Sequence, residues 1–389
     1  MKIPKILQKI SDKLNALDAK AIIVGGSVRD HFLKKTIKDY DIEVYGLSSI
    51  DELELLLKEF GKVKLVGKSF GVLKFVYKGQ EYDFAFPRRE KKVGAGHKGF
   101  EVISDGFMSY FEASKRRDFT INALGYDIDK KEFLDPFAGL DDMREKVLRH
   151  IDDKTFGQDP LRVYRGVQFC ARLEYEMYPN TKKLCMDMVE QGVLEELPKE
   201  RVFEELKKLL LKAKKPSIGF ELLKELGVLR YFPELSCDFS TIDKIPKNIT
   251  LLLAVLTLHL SQSEVESFIL RLSDEVELLK SVKALVEAFQ KVSQMELDDT
   301  DIRRLSTKVN LEDLSIICEN RSILEDAKRL GVDKVALKEL LDGKDLISLG
   351  YKPSREFSKI LSSVYEMQLR GEIVDKEEAL NYVRGNLWQ

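Results

Sequence analysis

The chain has 389 residues, of which 44% are hydrophobic and 33% are charged, and its formal net charge is −2. A chain of this length predicts two or three globular domains with sizeable cores. The near-neutral charge argues against a protein that binds polyanions over its whole surface, and no apolar run is long enough to predict a membrane span.

Strand-like and helix-like patterns alternate in the first third of the chain. Strands are predicted for AIIVGG, YDIEVYG, KVKLVG, GVLKFVYKG and EYDFAFP, and a helix for DELELLLKEF. Residues 87–106, PRREKKVGAGHKGFEVISDG, are basic and glycine-rich with little periodicity, so they predict a long loop of the kind that is often functional. From about residue 160 the periodicity is helical almost without a break, and ITLLLAVLTLHL predicts a buried helix.

The cysteine pattern and the first residues of the chain indicate the cellular compartment of the protein. The four cysteines are widely spaced and form no CxxC pair, so neither a zinc site nor a disulfide framework is predicted. The first residues, MKIPKILQKISDKL, are amphipathic and charged throughout, unlike a signal peptide. We therefore expect a protein of the reducing cytoplasm that does not bind a membrane.

The stretch VGGSVRDHFLKKTIKDYDIEVY combines a glycine turn with two closely spaced carboxylates. Asp39 and Asp41 are predicted to point to the same face of a strand, about 6–7 Å apart. A divalent cation would relieve their mutual repulsion, and Mg²⁺ prefers one or two carboxylates together with substrate phosphates. Gly25 and Gly26 let the backbone approach a triphosphate, and Arg29 follows as a charged donor. The stretch matches neither GxxxxGK[ST] nor GxGxxG.

This stretch resembles the first motif of the polymerase-β-type nucleotidyltransferase superfamily, in the form of its class II branch. That branch contains bacterial tRNA nucleotidyltransferases (CCA-adding enzymes) and bacterial poly(A) polymerases. Four further stretches are similar to the later motifs of the branch and follow in the same order: KRRDFTINAL, LDPFAGLDDMREKVLRH, QDPLRVYRGVQF and ERVFEELKKLL. The resemblance covers roughly residues 22–210 and fades after about residue 235.

The resemblance implies an α+β fold with three functional regions. A polymerase-β-like nucleotidyltransferase head, a mixed sheet with helices, would occupy residues 1–147. An elongated all-α neck, body and tail would follow. The neck, residues 148–215, would recognise the nucleotide base, and the body and tail, residues 216–389, would bind tRNA.

The resemblance also implies roles for residues of the later motifs. Arg117 would contact phosphates, and Asp118 would accept a hydrogen bond from a ribose hydroxyl. Asp159, Arg162 and Arg165 fall at i, i+3 and i+6 of a predicted helix and share one face. In the family an Asp–Arg pair there reads the Watson–Crick edge of cytosine and adenine, which both present an amine donor beside a ring-nitrogen acceptor.

One further acid and two departures complete the predicted site. Asp83, in EYDFAFPR, aligns with an acidic position of the family and is a predicted third metal ligand. Gln158 stands where the fourth motif usually has glutamate, and Gln168 stands where related sequences often carry another arginine. We leave both glutamines out of the predicted site.

Together these features predict an enzyme that adds C, C and A to the 3′ end of tRNA without a template. CTP and ATP would be the substrates, pyrophosphate the leaving group, and Asp39 and Asp41 the catalytic residues that hold Mg²⁺. A poly(A) polymerase and a CC-adding or A-adding enzyme remain as alternatives within the family. A small-molecule nucleotidyltransferase and a non-catalytic RNA-binding module are the alternatives outside it. We expect no DNA partner, and the sequence does not decide between a monomer and a homodimer.

Overall fold

The structure is a computed structural model that describes residues 1–37, 39–66, 71–92, 100–235 and 238–386, with only the backbone described at 89–92 and 100–103. The chain divides into two compact units, Met1–Tyr231 and Phe232–Gln389. The functional division at residues 147 and 215 stays a prediction. Among the helices that the structure describes, none has both the length and the apolar character needed to cross a membrane.

The first unit contains the strands and the first ten helices. Its strands are β1 Lys20–Val24, β2 Asp41–Tyr45, β3 Lys62–Val66, β4 Val72–Tyr77, β5 Gln80–Ala85, β6 Arg88–Lys92, β7 Phe100–Ser104, β8 Gly125–Asp127, β9 Glu132–Leu134, β10 Val147–Leu148 and β11 Glu176–Met177. Its helices are α1 Lys5–Asn15, α2 Gly26–Phe32, α3 Ile50–Lys58, α4 Tyr110–Lys115, α5 Gly139–Glu145, α6 Asp153–Gly157, α7 Leu161–Leu173, α8 Pro179–Glu190, α9 Lys199–Lys212 and α10 Pro216–Glu225.

Seven of these strands form one mixed sheet in the order β3-β4-β5-β2-β1-β8-β9. The β2–β5 pair is parallel, and the other neighbours in the sheet are antiparallel. Every strand and helix predicted in the first third of the chain is present. The structure therefore confirms an α+β fold in which a mixed-sheet head precedes a helical remainder.

The prediction of one long loop over residues 87–106 is wrong at both of its ends. Strands β6 and β7 pair antiparallel there, from Arg88 opposite Ser104 to Lys92 opposite Phe100. Backbone ladder hydrogen bonds do not require apolar side chains, so a charged segment can pair with FEVIS despite its composition. The connection at residues 93–99 lies outside the described residues.

The two faces of the large sheet are covered by different elements. On one face, Ile23, Ile42 and Phe84 pack in a core with residues of α1 and α3. On the other face, Val24 and Tyr45 belong to a smaller core with residues of the α4 segment. Because strand residues alternate between faces, this second face also carries the side chains at positions 41 and 43. The strand pattern thus directs these acids to the α4 side of the sheet.

The second unit is all-helical within the described residues. Its helices are α11 Ile249–Thr257, α12 Gln262–Leu272, α13 Val276–Val292, α14 Asp299–Ser306, α15 Leu311–Ile317, α16 Ser322–Arg329, α17 Gly343–Ser348, α18 Glu356–Leu369 and α19 Lys376–Gly385. Helix α11 is the buried helix predicted from its apolar run, and all its residues from Leu251 to Thr257 are buried. Asn248 caps it by accepting hydrogen bonds from the backbone N–H groups of Thr250 and Leu251.

Candidate active site

Strand pairing brings three acidic residues together at one end of the sheet. The parallel β2–β5 ladder places Asp41 directly beside Asp83, on strands about 4.8 Å apart. Asp39 precedes the first residue of β2, and the chain around it is already paired, because the carbonyl of Tyr40 accepts the Asp83 N–H at 3.0 Å. The structure therefore brings Asp39, Asp41 and Asp83 to one place.

The three carboxylates are electrostatically crowded. Burial raises the pKa of Asp41, and the charges of Asp83, Asp39 and Glu43 raise it further, while Arg117 lowers it. The Asp41 residue is nevertheless exposed, so we attribute its raised pKa more to the neighbouring acids than to burial. Such crowding favours an arrangement in which a cation shares the site.

The donor set fits a hard divalent cation. The Oδ1 atom of Asp83 is buried and has no hydrogen-bond partner among the described residues, so it is an acceptor that a cation can satisfy. Within that part of the chain, no group of three or more His, Cys, Asp and Glu side chains is placed to hold a metal ion. A cation beside Asp41 and Asp83 would therefore take its remaining ligands from substrate and water.

The glycine turn lies against Arg117. Gly25 has a φ of +70°, and a Cβ atom added to it would lie 3.0 Å from Nη1 of Arg117. Any other residue at position 25 would be strained by the positive φ, and its Cβ atom would crowd the Arg117 guanidinium. Glycine therefore suits this turn. Nη1 of Arg117 also donates to the Asn122 carbonyl at 3.4 Å.

Glu43 is a site residue that the sequence analysis missed. Its Oε1 atom accepts from Nη2 of Arg117 at 2.9 Å and from Nη2 of Arg116 at 3.2 Å. Its Oε2 atom accepts from the hydroxyl of Tyr45 at 2.8 Å. Burial pushes the pKa of Glu43 upward, but Arg117 and Arg116 hold it below the usual range. The available signal was an acid two residues after Asp41 on the same face of an apolar strand.

Arg29 is buried beneath the glycine turn. Its Nη1 atom donates to Asn122 Oδ1 at 2.5 Å, and its Nε and Nη2 atoms donate to Asp30 Oδ1 at 3.0 and 2.9 Å. Its Nη2 atom would lie 3.5 Å from a Cβ added to Gly26. Arg29 is therefore adjacent to the predicted phosphate site but has protein partners in this structure.

Asp118 is buried and is bound to Arg165. Its Oδ2 atom accepts from Nε and Nη2 of Arg165 at 2.8 and 2.5 Å, and its Oδ1 atom accepts from Asn122 at 2.9 Å. Burial raises the pKa of Asp118, but Arg165 and Asn122 reverse this effect and lower it overall. Arg165 also lies 3.7 Å from Glu205 of α9. The pair joins the second sequence motif to the fourth.

Asp159 and Arg162 have separate partners. Helix α7 begins at Leu161, so Asp159 precedes it, and its Oδ2 atom lies 3.6 Å from Nη2 of Arg201. Arg162 donates to the backbone carbonyls of Thr155 at 2.8 Å and Arg116 at 2.5 Å. These two carbonyls help to hold Arg162 in place. Arg201, from the fifth motif, was not among the predicted site residues.

Gln168, one of the two departures from the family pattern, is buried and accepts a hydrogen bond from Nη1 of Arg172 at 2.9 Å. The guanidinium groups of Arg29, Arg165 and Arg172 all lie 5.1–5.7 Å from the ring centre of Phe169. Three arginines therefore lie around Phe169, the residue next to Gln168, and one of them, Arg172, contacts Gln168 itself.

Three families match the chain in succession. Residues 21–149 match the Poly A polymerase head domain, residues 174–239 match the RNA and SrmB-binding site of polymerase A, and residues 245–383 match tRNA nucleotidyltransferase domain 2. The chain therefore carries a poly(A) polymerase head domain followed by a tRNA nucleotidyltransferase domain.

Similar proteins include the multifunctional CCA proteins of Pseudoalteromonas atlantica, 39% identical over 219 residues, and Mannheimia succiniciproducens, 38% identical over 217 residues. Each match covers 55% of this chain, but only 51% and 49% of the relative. The chain thus spans about half the length of these curated relatives. The Bacillus stearothermophilus CCA-adding enzyme in complex with CTP has the same fold, with a TM-score of 0.78, 22% identity and 99% of both chains covered. The Thermotoga maritima CCA-adding enzyme complexed with tRNA is similar, with a TM-score of 0.68, 22% identity and coverage of 99% and 96%.

Proposed function

We propose that this chain, which carries a nucleotidyltransferase head domain, adds C, C and A to the 3′ end of tRNA from CTP and ATP. In each step the RNA 3′ oxygen would form a bond to the α-phosphorus. The bond to the bridging oxygen of pyrophosphate would break, and the hydroxyl proton would pass to solvent. Relatives that are 37–39% identical are named multifunctional CCA protein, which supports this choice over a small-molecule transferase.

The observation that carries the proposal is the placement of Asp41 and Asp83 beside the turn at Gly25 and beside Arg117. Paired carboxylates next to a backbone turn and a guanidinium suit a substrate that is a nucleoside triphosphate with its cation. The parallel pairing of β2 with β5 creates this arrangement, because it places Asp41 opposite Asp83. A purely structural RNA-binding module would have no need for crowded carboxylates.

We assign the divalent cation to Asp39, Asp41 and Asp83, and we propose that it is Mg²⁺. When bound, such an ion neutralises phosphate charge and makes the attacking hydroxyl more acidic. The backbone of Gly25 and Gly26 would let the triphosphate approach closely.

We assign the side-chain contacts to the phosphates and the ribose to three arginines and one acid. Arg117 would donate to the phosphates. Arg29 and Arg165 would also donate to them, once their ion pairs with Asp30 and Asp118 rearrange. Asp118 would orient the ribose and would require the same rearrangement. Positioning and charge neutralisation would then supply most of the rate enhancement.

Base selection is assigned to Asp159 and Arg162. A carboxylate accepts from the exocyclic amine of cytosine or adenine, and a guanidinium donates to the adjacent ring nitrogen. Uracil and guanine present the opposite pattern and would leave polar groups unpaired, which is costly in an enclosed site. In this structure Arg162 donates to two backbone carbonyls, and Asp159 lies 3.6 Å from Arg201.

The other regions would position the RNA. We propose that residues 1–147 form the catalytic head, residues 148–215 the base-reading neck, and residues 216–389 the tRNA-binding body and tail. The described cysteines Cys170, Cys185 and Cys318 are free thiols, which suits our proposal that the enzyme works in the reducing cytoplasm.

An acceptor series tests the proposed function. Purified chain is given tRNA ending at the discriminator base, at C or at CC, each with a single labelled nucleotide among CTP, ATP, UTP and GTP. We expect C on the first two acceptors and A on the third. Addition of C alone or A alone across the series would replace the proposal with a partial-activity enzyme.

A further inference from the structure

We propose that Glu43 is a positioning residue that fixes the guanidinium of Arg117 beside Gly25. This inference rests on the proposed function in one respect, because it takes Arg117 as a ligand of the nucleotide phosphates. Glu43 itself would touch neither nucleotide nor RNA. Its effect would pass through Arg117.

The first support is the enclosure of the Glu43 carboxylate. Glu43 is only 4% exposed, and its two oxygens accept from Arg117, Arg116 and Tyr45 at 2.8–3.2 Å. A buried carboxylate with partners on both oxygens has little freedom to move. It is therefore a fixed reference point for the guanidinium groups that bind it.

The second support is the space around Arg117. One terminal nitrogen, Nη2, binds Glu43, and the other, Nη1, faces Gly25 at the 3.0 Å approach that only glycine permits without a shift. The Nε atom of Arg117 is buried and has no hydrogen-bond partner in the described part of the chain. Arg117 is thus held mainly by Glu43 at Nη2, with a longer contact from Nη1 to the Asn122 carbonyl, and its Nε keeps donor capacity that these partners do not use.

The third support is the position of Glu43 relative to Asp41. The two acids are two residues apart on β2 and face the same side, about 6–7 Å from each other along the strand. A buried guanidinium that loses its carboxylate partner is an uncompensated buried charge, which is strongly destabilising. Asp41 is the next acid along this face. Without Glu43, Arg117 would leave the turn at Gly25 and pair with Asp41.

This role predicts a specific kinetic pattern for Glu43→Gln. The KM values for CTP and for ATP should both rise about tenfold, because Arg117 would lose the partner that holds it toward the phosphates and a hydrogen bond to a charged group contributes on this scale. The two nucleotides should be affected alike, because the phosphates and not the base are involved. The KM for the RNA acceptor and the discrimination against UTP and GTP should stay within about twofold of wild type.

A double-mutant cycle tests whether Glu43 acts through Arg117. Steady-state kinetics and calorimetric CTP binding are measured on the full chain as wild type, Glu43→Gln, Arg117→Ala and the double variant. We expect Glu43→Gln to have little additional effect once Arg117 is alanine, since coupled residues are not additive. Glu59→Gln, which breaks an exposed ion pair with Lys13, is the matched control and should behave like wild type.

Several outcomes would overturn the proposal. Independent, additive effects in the cycle would show that Glu43 does not act through Arg117, and so would a lower Tm with an unchanged KM for nucleotides. If Glu43→Gln does not fold, Glu43→Asp replaces it in the same double-mutant cycle. Aspartate keeps the negative charge but is one methylene shorter, so its carboxylate lies further from Arg117. Wild-type chain that binds CTP but extends no tRNA would refute the proposed function, while the binding cycle would still decide the role of Glu43.

Discussion

Arg165 donates from both Nε and Nη2 to a single carboxylate oxygen of Asp118, across a sequence separation of 47 residues. The pair fastens the segment that follows α4 to helix α7. It therefore connects the part of the site that carries Arg117 to the helix that follows Asp159. Under the proposed function, stability and nucleotide binding would be coupled at this pair.

Asp118→Asn should destabilise the first unit in a pH-dependent way. Because the pKa of Asp118 is lowered from its ordinary value of 3.8, its stabilising effect is full above that value and is lost as the pH falls through the lower folded-state pKa. At pH 7 we expect the free energy of unfolding to fall by about 2 kcal/mol and Tm by about 5 °C. This loss is smaller than that for a fully buried pair because Arg165 remains partly exposed. Scanning calorimetry at pH 7 and near pH 3 measures this. A difference from wild type that stays constant between these pH values would contradict the assignment.

Asp41→Asn should abolish activity without destabilising the fold. The raised pKa of Asp41 means that its ionised form is disfavoured in the folded chain, so the penalty appears as the pH rises above 3.8 and is full at neutral pH. We expect a Tm equal to or above that of wild type at pH 7 and a fall in kcat of about 100-fold or more. Asp141→Asn, at an exposed ion pair with Arg144, is the control. Near-normal kcat in Asp41→Asn would refute the metal assignment.

Gly25→Ala should separate backbone strain from crowding of the site. Gly25 and Gly79 both have positive φ, +70° and +81°, but an added Cβ meets Arg117 at Gly25 and nothing within 4 Å at Gly79. Both alanine variants should lose about 1–2 kcal/mol of stability. Only Gly25→Ala should also raise the KM for nucleotides, by about tenfold. Equal kinetics for the two variants would mean that Arg117 does not need its close approach to the turn.

Asp159→Ala should relax base selection more than it slows the enzyme. Loss of the carboxylate removes the acceptor for the exocyclic amine of cytosine and adenine. The ratio of kcat/KM for CTP over UTP should fall about 10- to 100-fold, the usual worth of a paired base contact. The ratio is measured on tRNA ending at the discriminator base, with ATP over GTP measured on tRNA ending in CC. An unchanged ratio would move base reading to other residues.

The strands and helices of the head were predictable because their signals are local. Short runs rich in apolar and β-branched residues predicted β1 to β5, and the glycine turn marked the end of β1. The pairing of Asp41 with Asp83 was not predictable from these patterns, because it depends on a parallel ladder between strands that are not consecutive. A resemblance to known motifs supplied Asp83 instead.

The residues that sequence reasoning missed share a physical reason. Glu43 lies in an apolar strand, and the alternation of its side chains allows the acid to be either solvated or buried. It is buried because Arg116 and Arg117, from a distant segment of the chain, bind its carboxylate. The i+3 spacing of Asp159 and Arg162 suggested a pair. Tertiary contacts bring the guanidinium of Arg201 to Asp159 and two backbone carbonyls to Arg162, and the spacing does not predict either of them.

Sequencing of product 3′ ends decides whether the chain adds C, C and A to tRNA. Purified chain is incubated with CTP and ATP together, with a mixture of tRNA lacking its last three nucleotides and an unrelated single-stranded RNA, and the added nucleotides are read one by one. We expect tRNA to receive C, C and A in that order, after which addition stops, while the unrelated RNA is left unextended. Long runs of A on both RNAs would contradict it and identify the chain as a poly(A) polymerase.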